Sequence, residues 1–261
     1  MIDLHLHLLP GVDDGPADEA ASLVHAEKLA RDGVREATVT PHVGHPDLPV
    51  DVHTIADRTR ALQLAIDAAG IRLRLHPGGE IFPSAAAALG RADLELVAHG
   101  PPGARWVLLE VPFGGIDDTF LDAVRHVRGR GFSVLVAHPE RAAGFDPEGL
   151  RRIRPLLADG ALLQVNACSL LGRNGPEALA AAQRLVRDRL AYVIASDGHG
   201  GTRSDTLGAV GRSPLTEANP RFLLEHGIPA EPGHERAWRS LHEQRMRAAI
   251  VAARELGPPG R

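Results

Sequence analysis

Histidines and carboxylates at short, recurring spacings are the residues of this chain best suited to chemistry. His5-Leu6-His7 opens the series, and Asp13-Asp14-Gly15 follows closely. Then come Thr40-Pro41-His42, Pro77-Gly78-Gly79-Glu80, Glu110, His138-Pro139-Glu140-Arg141 and Ser196-Asp197-Gly198-His199. On an extended strand residues i and i+2 face the same side, so His5 and His7 can grip one ion. Taken singly, the others have plainer explanations. A lone histidine such as His42 or His138 is most often structural, and a glutamate such as Glu110 is most often a solvated carboxylate. Imidazole and carboxylate ligands without thiolate suit Mn²⁺, Fe²⁺ or Zn²⁺, whereas Ca²⁺ takes more oxygen and less imidazole. A carboxylate such as Glu80 can bridge two ions, and ions about 3.5–4 Å apart serve the attacking and the leaving oxygen of an in-line phosphoryl transfer. Arg141, shortly after His138, and Arg203, shortly after His199, offer planar forks that pair with phosphate oxygens. For these two, a surface salt bridge and a loop role are the plain alternatives.

The elements that must carry these residues alternate along the chain. Apolar runs at Ile2–Leu6, Glu36–Thr40, Ile71–Leu75, Trp106–Glu110, Ser133–Ala137, Leu162–Val165 and Tyr192–Ala195 read as strands. Helical patterns lie between them at Glu19–Arg31, His53–Ala69, Asp118–Arg130, Pro147–Asp159 and Pro176–Arg189. Strand and helix in alternation predict a parallel α/β fold, as a distorted seven-stranded (β/α) barrel or, alternatively, an open sheet. The candidate ligands follow six of the seven runs, at the strand ends where such folds build their sites. That shared placement favours a metal site over independent explanations for each residue.

Bulk properties narrow the function further. The 261 residues, 44% hydrophobic, can form one domain. A C-terminal helix and frayed tail are expected from about residue 231. The net charge of −4 gives no footprint for nucleic acid. A single cysteine, Cys168, fits a reducing compartment. No secretory signal or membrane-spanning run is visible, so a cytoplasmic location is expected. Rival chemistries lack their motifs. The sixth position after Cys168 is Asn174, not the arginine of cysteine-dependent tyrosine phosphatases, and no Walker loop, G-x-S-x-G elbow or Rossmann fingerprint occurs. His234-Glu235 and His242-Glu243 begin like zinc-protease motifs, but Trp238 and Met246 stand where the second histidine belongs. His25, His53, His126 and His226 fall in helical patterns and are expected to pack or face solvent. His45, His76 and His99 stay unassigned.

Met1-Ile2-Asp3-Leu4-His5-Leu6-His7, Gly11-Val12-Asp13-Asp14-Gly15-Pro16, Thr40-Pro41-His42, Gly79-Glu80, Ala137-His138-Pro139-Glu140-Arg141, Gln164-Val165-Asn166, Ala195-Ser196-Asp197-Gly198-His199 and Asn219-Pro220 occur in that order. This set resembles the polymerase-and-histidinol-phosphatase (PHP) superfamily, and within it the bacterial capsule-type tyrosine phosphatases, CpsB/CapC, over about residues 1–225. The resemblance implies a distorted seven-stranded barrel of the PHP type holding three metal ions, usually manganese. One ion would take His5, His7, Glu80 and Asp197; a second would share Glu80 and add Glu110 and His138; a third would take Asp14, His42 and His199. Arg141 and Arg203 match the family's phosphate-binding arginines. The implied reaction is hydrolysis of phosphotyrosine by a metal-bridging hydroxide, on a tyrosine kinase that controls capsule or exopolysaccharide synthesis. A small-molecule phosphatase acting on histidinol phosphate is the alternative within the fold. A polymerase-associated exonuclease would need a basic track, which the charge opposes, and a non-catalytic regulator would not need every ligand retained. Residues 43–50 and 202–218 lack aromatic side chains to stack on a phenol ring. Phe82, Phe113 and Trp106 remain for that wall, though each is expected in the core.

Overall fold

A computed structural model describes residues 1–203 and 207–229. The helix and tail expected from about residue 231 lie outside the described residues, as do His234 and His242. In chain order the elements are β1 (Ile2–Leu6), α1 (Glu19–Arg31), β2 (Glu36–Val39), β3 (His42–Val43), α2 (Ile55–Ala68), β4 (Arg74–Pro77), β5 (Glu80–Ile81), α3 (Arg91–Val97) and β6 (Trp106–Glu110). They continue with α4 (Asp118–Gly129), β7 (Ser133–Ala137), α5 (Leu150–Ala158), β8 (Leu162–Asn166), α6 (Ala167–Leu170), α7 (Gly175–Arg187), β9 (Ala191–Ala195) and α8 (Ala218–His226). No helix among the described residues is long and apolar enough to cross a membrane.

All strand pairing is parallel, as the alternation predicts. The seven expected strands are found instead as nine segments in two sheets, ordered β1-β2-β4 and β3-β5-β6-β7-β8-β9, without one continuous ladder. The extra segments arise where two strands break. Pro41, which has no N–H to donate, separates β2 from β3, and Gly78-Gly79 separates β4 from β5. The sheets stay tied together because the chain itself crosses from one to the other at both breaks. On the other flank the Asp197 N–H donates to the His5 carbonyl at 2.9 Å, and the His7 N–H donates to the Gly198 carbonyl at 2.9 Å.

One expected strand is displaced. Ile71–Leu75 was read as strand from its apolar character, but β4 begins at Arg74. Gly70, at φ +68°, ends α2 in a left-handed turn, and the Ile71 N–H reaches back to the Ile66 carbonyl at 3.1 Å. Ile71 is therefore the hydrophobic seal of a helix C-terminus. The fourth expected helix also starts later, at Leu150 rather than Pro147, after an irregular turn over Phe145–Gly149. The short helices α3 and α6 have no counterpart among the expected elements, while α8 holds His226 in the helical pattern expected for it.

Two-residue periodicity explains why the strand ends carry a site. Trp106 and Leu108 on β6, Leu135 and Ala137 on β7, and Val193 on β9 share an inner cluster with Leu223 of α8 and with Ile228. The intervening Val107, Leu109, Val134 and Val136 pack outward beneath the helices. Continuing the inner face along each strand puts Glu110 beyond Leu108, and Gln164 and Asn166 beyond Leu162. The interior thus has an apolar floor at the strand starts and a polar layer at their ends. On β1 the register shifts between Asp3 and Leu6. Ile2 and Leu4 join the inner cluster while Leu6 joins the outer one. This bulge turns His5 and His7 inward.

Gly79, next to Glu80, is closely packed. A Cβ there would lie 2.7 Å from Val43 Cγ2 and 3.0 Å from Val97 Cγ1. Gly79→Ala should lower stability by about 1–3 kcal/mol, seen as an earlier urea midpoint, and should weaken binding of divalent cation through Glu80. A variant with the wild-type midpoint and affinity would refute the close-packing argument.

Candidate metal centre

The polar layer brings all nine expected ligands together. They form four overlapping groups whose donor atoms lie within 4.8 Å of one another: His7, Asp14, His42 and His199; His5, Glu80 and His138; His5, His7 and Asp197; and His42, Glu80 and Glu110. His5 comes from the end of β1 and His7 from just beyond it. His42 stands on β3, Glu80 on β5 and Glu110 at the end of β6. His138 follows β7, and Asp197 and His199 follow β9. The groups differ from the three expected ligand sets. His138 groups with Glu80 and His5 rather than with Glu110. His7 faces the Asp14 group as well as the first, its ring stacked on His199 at 3.9 Å, and His42 faces Glu80 and Glu110 as well as Asp14.

His5 and His7 make the tightest contacts. His5 Nε2 lies 3.2 Å from His7 Nε2, 3.2 Å from Glu80 Oε2 and 3.4 Å from Asp197 Oδ1. His7 Nε2 lies 3.4 Å from the same Glu80 oxygen and 3.5 Å from the same Asp197 oxygen. Tetrahedral ligands at about 2.0–2.1 Å from an ion stand about 3.3–3.4 Å from one another, so these spacings fit a shared cation. The other ring nitrogens support this. His7 Nδ1 meets Asp13 Oδ2 at 2.7 Å, His5 Nδ1 meets Gln164 Oε1 at 3.1 Å, and His199 Nδ1 meets the Asp197 carbonyl at 2.8 Å. An acceptor at Nδ1 keeps the proton there and leaves an Nε2 lone pair aimed at the centre. Glu80 Oε2, Glu110 Oε2, His42 Nδ1 and His199 Nε2 are buried with no hydrogen-bond partner. So many inward lone pairs are stable side by side when a cation lies among them.

The charges respond accordingly. Burial opposes charge on His5, but Glu80 and Asp197 overcome it and lift His5 to about 9. Burial and the neighbouring Glu80 push the Glu110 carboxyl up to about 8. Burial acts against ionised Glu80 too, yet His5 and a hydrogen bond from His138 hold its carboxyl well below the usual range. Protons therefore occupy part of the space a metal would neutralise. His138 at φ +32° and Asp197 at φ +52° adopt left-handed backbone, a strained conformation for residues with a Cβ that concentrates at functional sites.

Beside the centre opens a 170 Å³ cleft lined by Arg141, Arg203, Asp197, His199, Cys168, Arg173 and Asn174, among others. Arg141 Nη1 donates to Asp197 Oδ2 at 2.6 Å, and Arg203 Nη2 donates to Asp14 Oδ2 at 2.7 Å. Both expected arginines thus face the rim.

These observations coincide with the comparisons to known proteins. The family profile described as capsular polysaccharide synthesis, CpsB/CapC, matches residues 1–209. The chain belongs to the CpsB/CapC family. Tyrosine-protein phosphatase YwqE of Bacillus subtilis strain 168 is 30% identical over 202 residues, spanning 76% of this chain and 77% of YwqE. CapC of Staphylococcus aureus is 28% identical over 199 residues, with 76% and 77% covered. A crystal structure from work on YwqE and on CpsB of Streptococcus pneumoniae, described as unique metal-dependent tyrosine phosphatases, superposes with a TM-score of 0.70 at 26% identity. It covers 86% of this chain and 94% of the other.

Several residues around the CpsB/CapC centre had no role assigned from sequence. Asp13 orients His7 and also accepts from the His42 N–H at 3.1 Å. Gln164 accepts from the His138 N–H at 3.1 Å and donates to Asn166, which in turn donates to Asp197. Asp13 and the Gln164–Asn166 pair lay in the motifs that carry the resemblance, but spacing alone does not reveal which ring a side chain will hold. Arg173 lines the cleft from the turn after α6, a helix without a sequence signal. Among the described residues, histidines outside the motifs do not join the groups; His25 is buried under Gly200, and His99 packs on Trp106.

Two outcomes follow from this geometry. Asp13→Asn should weaken divalent-cation binding about 10- to 100-fold in titration calorimetry, and unchanged affinity would rule out its orienting role. His5 and Glu110 bind more protons in the metal-free fold than when unfolded, so metal-free stability should fall as pH rises from about 7 to 9. Cation binding should release protons over the same range, and its affinity should rise with pH. Calorimetry in buffers of differing ionisation enthalpy measures that release; none at pH 7 would contradict the assignment.

Proposed function

We propose that this chain, as one phosphoesterase domain with its two sheets acting as a distorted barrel, hydrolyses phosphotyrosine on proteins. The observation that carries this reading is that His5 and His7 both meet Glu80 and Asp197 beside an arginine-lined cleft. Divalent cations, for which manganese is the preferred candidate and Fe²⁺ or Zn²⁺ are alternatives, would be held by His5, His7, Asp14, His42, Glu80, Glu110, His138, Asp197 and His199. When bound they supply an activated water and neutralise phosphoryl charge.

The remaining work belongs to the chain's own side chains. Arg141 and Arg203 grip the non-bridging phosphate oxygens, and their forks match the charge that builds there in the transition state. Asp197 and Asp14 hold those forks at the rim before substrate arrives, which reduces the ordering cost of binding. Burial of Glu80, His5 and His7 keeps bulk water from weakening these interactions. A phenolate leaving group, with an ordinary pKa of about 10, departs without the strong protonation that an alkoxide needs. The tyrosine-phosphatase relatives and the capsular-polysaccharide family support a phosphotyrosyl protein as substrate; the substrate proposed is a tyrosine kinase controlling capsule or exopolysaccharide synthesis, in the cytoplasm.

The test compares a phosphotyrosyl peptide with histidinol phosphate, using protein tagged at its C-terminus because His5 lies so near the other end. Hydrolysis should need Mn²⁺, stop with EDTA, fall to background in His138→Ala, and favour the peptide. Preference for histidinol phosphate would move the protein to small-molecule metabolism, and metal-independent turnover equal in wild type and variant would end the phosphatase reading. Arg141→Lys keeps the charge but loses the fork. It should lower kcat/KM about 10- to 100-fold, the range expected for hydrogen bonds to a charged group.

A further inference from the structure

Phe113 was expected in the core, and the structure places it outside. Its side chain is 54% exposed, although Trp106, on the strand just before it, is completely buried. The other exposed large apolar residues among those described are Val24, Leu64, Leu96 and Leu171, none of them aromatic. Phe113 also stands at the centre's edge. The Arg141 guanidinium carbon lies 4.5 Å from the ring centroid, and the His138 ring lies 6.1 Å away.

Its position is fixed by backbone. The chain leaves β6 at Glu110, buries Val111, and turns at Pro112, whose carbonyl accepts from the Gly115 N–H at 3.0 Å. The Phe113 carbonyl accepts from the Ala143 N–H at 2.8 Å, which pins the turn to the segment that follows Arg141. Gly115, at φ +119°, allows the return, since this backbone strains any residue with a Cβ. The fold therefore holds a half-exposed aromatic ring in a set place, where burying it fully would have been favourable.

We propose that Phe113 is the wall against which the aromatic ring of the substrate lies, so that it selects aryl over alkyl phosphate esters; this rests on the phosphatase reading above. In an in-line displacement the leaving oxygen is opposite the attacking one. Attack comes from the buried ligand layer, so the ester group of a phosphate gripped by Arg141 points outward past the rim. Phe113, whose ring centroid lies 4.5 Å from the Arg141 guanidinium carbon, would then border that outward path. A phenyl ring there gains an offset or edge-on aromatic contact that a short alkyl group lacks. Phe82, the nearest alternative, is half-buried and already meets the His45 ring edge-on at 5.0 Å.

Aryl and alkyl esters differ in leaving-group pKa, so turnover rates alone would confound the comparison. Competitive inhibition by phenylphosphonate and methylphosphonate, neither of which has an ester to cleave, isolates the ring contact. Both would be measured on the full chain with Mn²⁺, using p-nitrophenyl phosphate as reporter. Phe113→Ala should weaken phenylphosphonate about three- to tenfold relative to methylphosphonate, and Phe113→Tyr should restore the wild-type ratio. Equal weakening of both inhibitors would overturn the proposal, because Phe113 would then merely seat Arg141. An unchanged ratio with unchanged constants would overturn it as well. Wild-type protein without metal-dependent turnover of the reporter would overturn the phosphatase reading, and this inference with it.

Discussion

The Glu80 carboxylate is the point on which the rest of the structure depends. One oxygen faces His5, His7 and His42 at 3.2–3.4 Å, and the other faces His138 at 3.0 Å. It is completely buried, with Glu110 and Asp197 nearby. Several carboxylates at such distances in a low-dielectric interior are strongly unfavourable unless positive charge lies among them. The fold supplies part of that charge as a retained proton on His5, and the geometry invites a cation for the rest. Glu80 can hold this position because β5 is clamped by parallel pairing to β3 on one side and β6 on the other.

Around that hub the fold sets orientation with hydrogen bonds rather than with bulk. Asp13 and Gln164 hold imidazoles by the nitrogen that faces away from the centre, and Asn166 links Gln164 to Asp197. β8, which brings no ligand of its own, thereby holds the ligands of its neighbours. The same logic reaches the cleft, where Arg141 and Arg203 are tied to Asp197 and Asp14. A site made rigid in this way would bind a ligand with little reorganisation.

Much of this was readable along the chain. Parallel strands buried on both faces leave uninterrupted apolar runs, which is why β1, β6 and β7 appear at their expected residues and β2, β8 and β9 within one residue. The errors have local causes. Ile71 looked like strand because an apolar residue sealing a helix end and one opening a strand are the same to a pattern. Two-residue segments such as β3 and β5 have no periodicity to detect, and they emerge from Pro41 and the Gly78-Gly79 pair interrupting longer strands. Phe113 was assigned to the core on apolarity alone, and nothing in its neighbours marked it as exposed.

The sequence by itself determined which residues can meet a cation and the order in which they arrive, because each ligand is fixed to the end of a strand by a short motif. It also settled the chemical character of the site, since imidazole and carboxylate without thiolate define the donor set. Only the tertiary structure decided which ligands share a position. That depends on the bulge that turns His5 and His7 inward, on the strand breaks that bring His42 and Glu80 into register, and on side chains far apart in sequence that fix each ring. Distances between strand ends are set by sheet packing, and no local pattern encodes them.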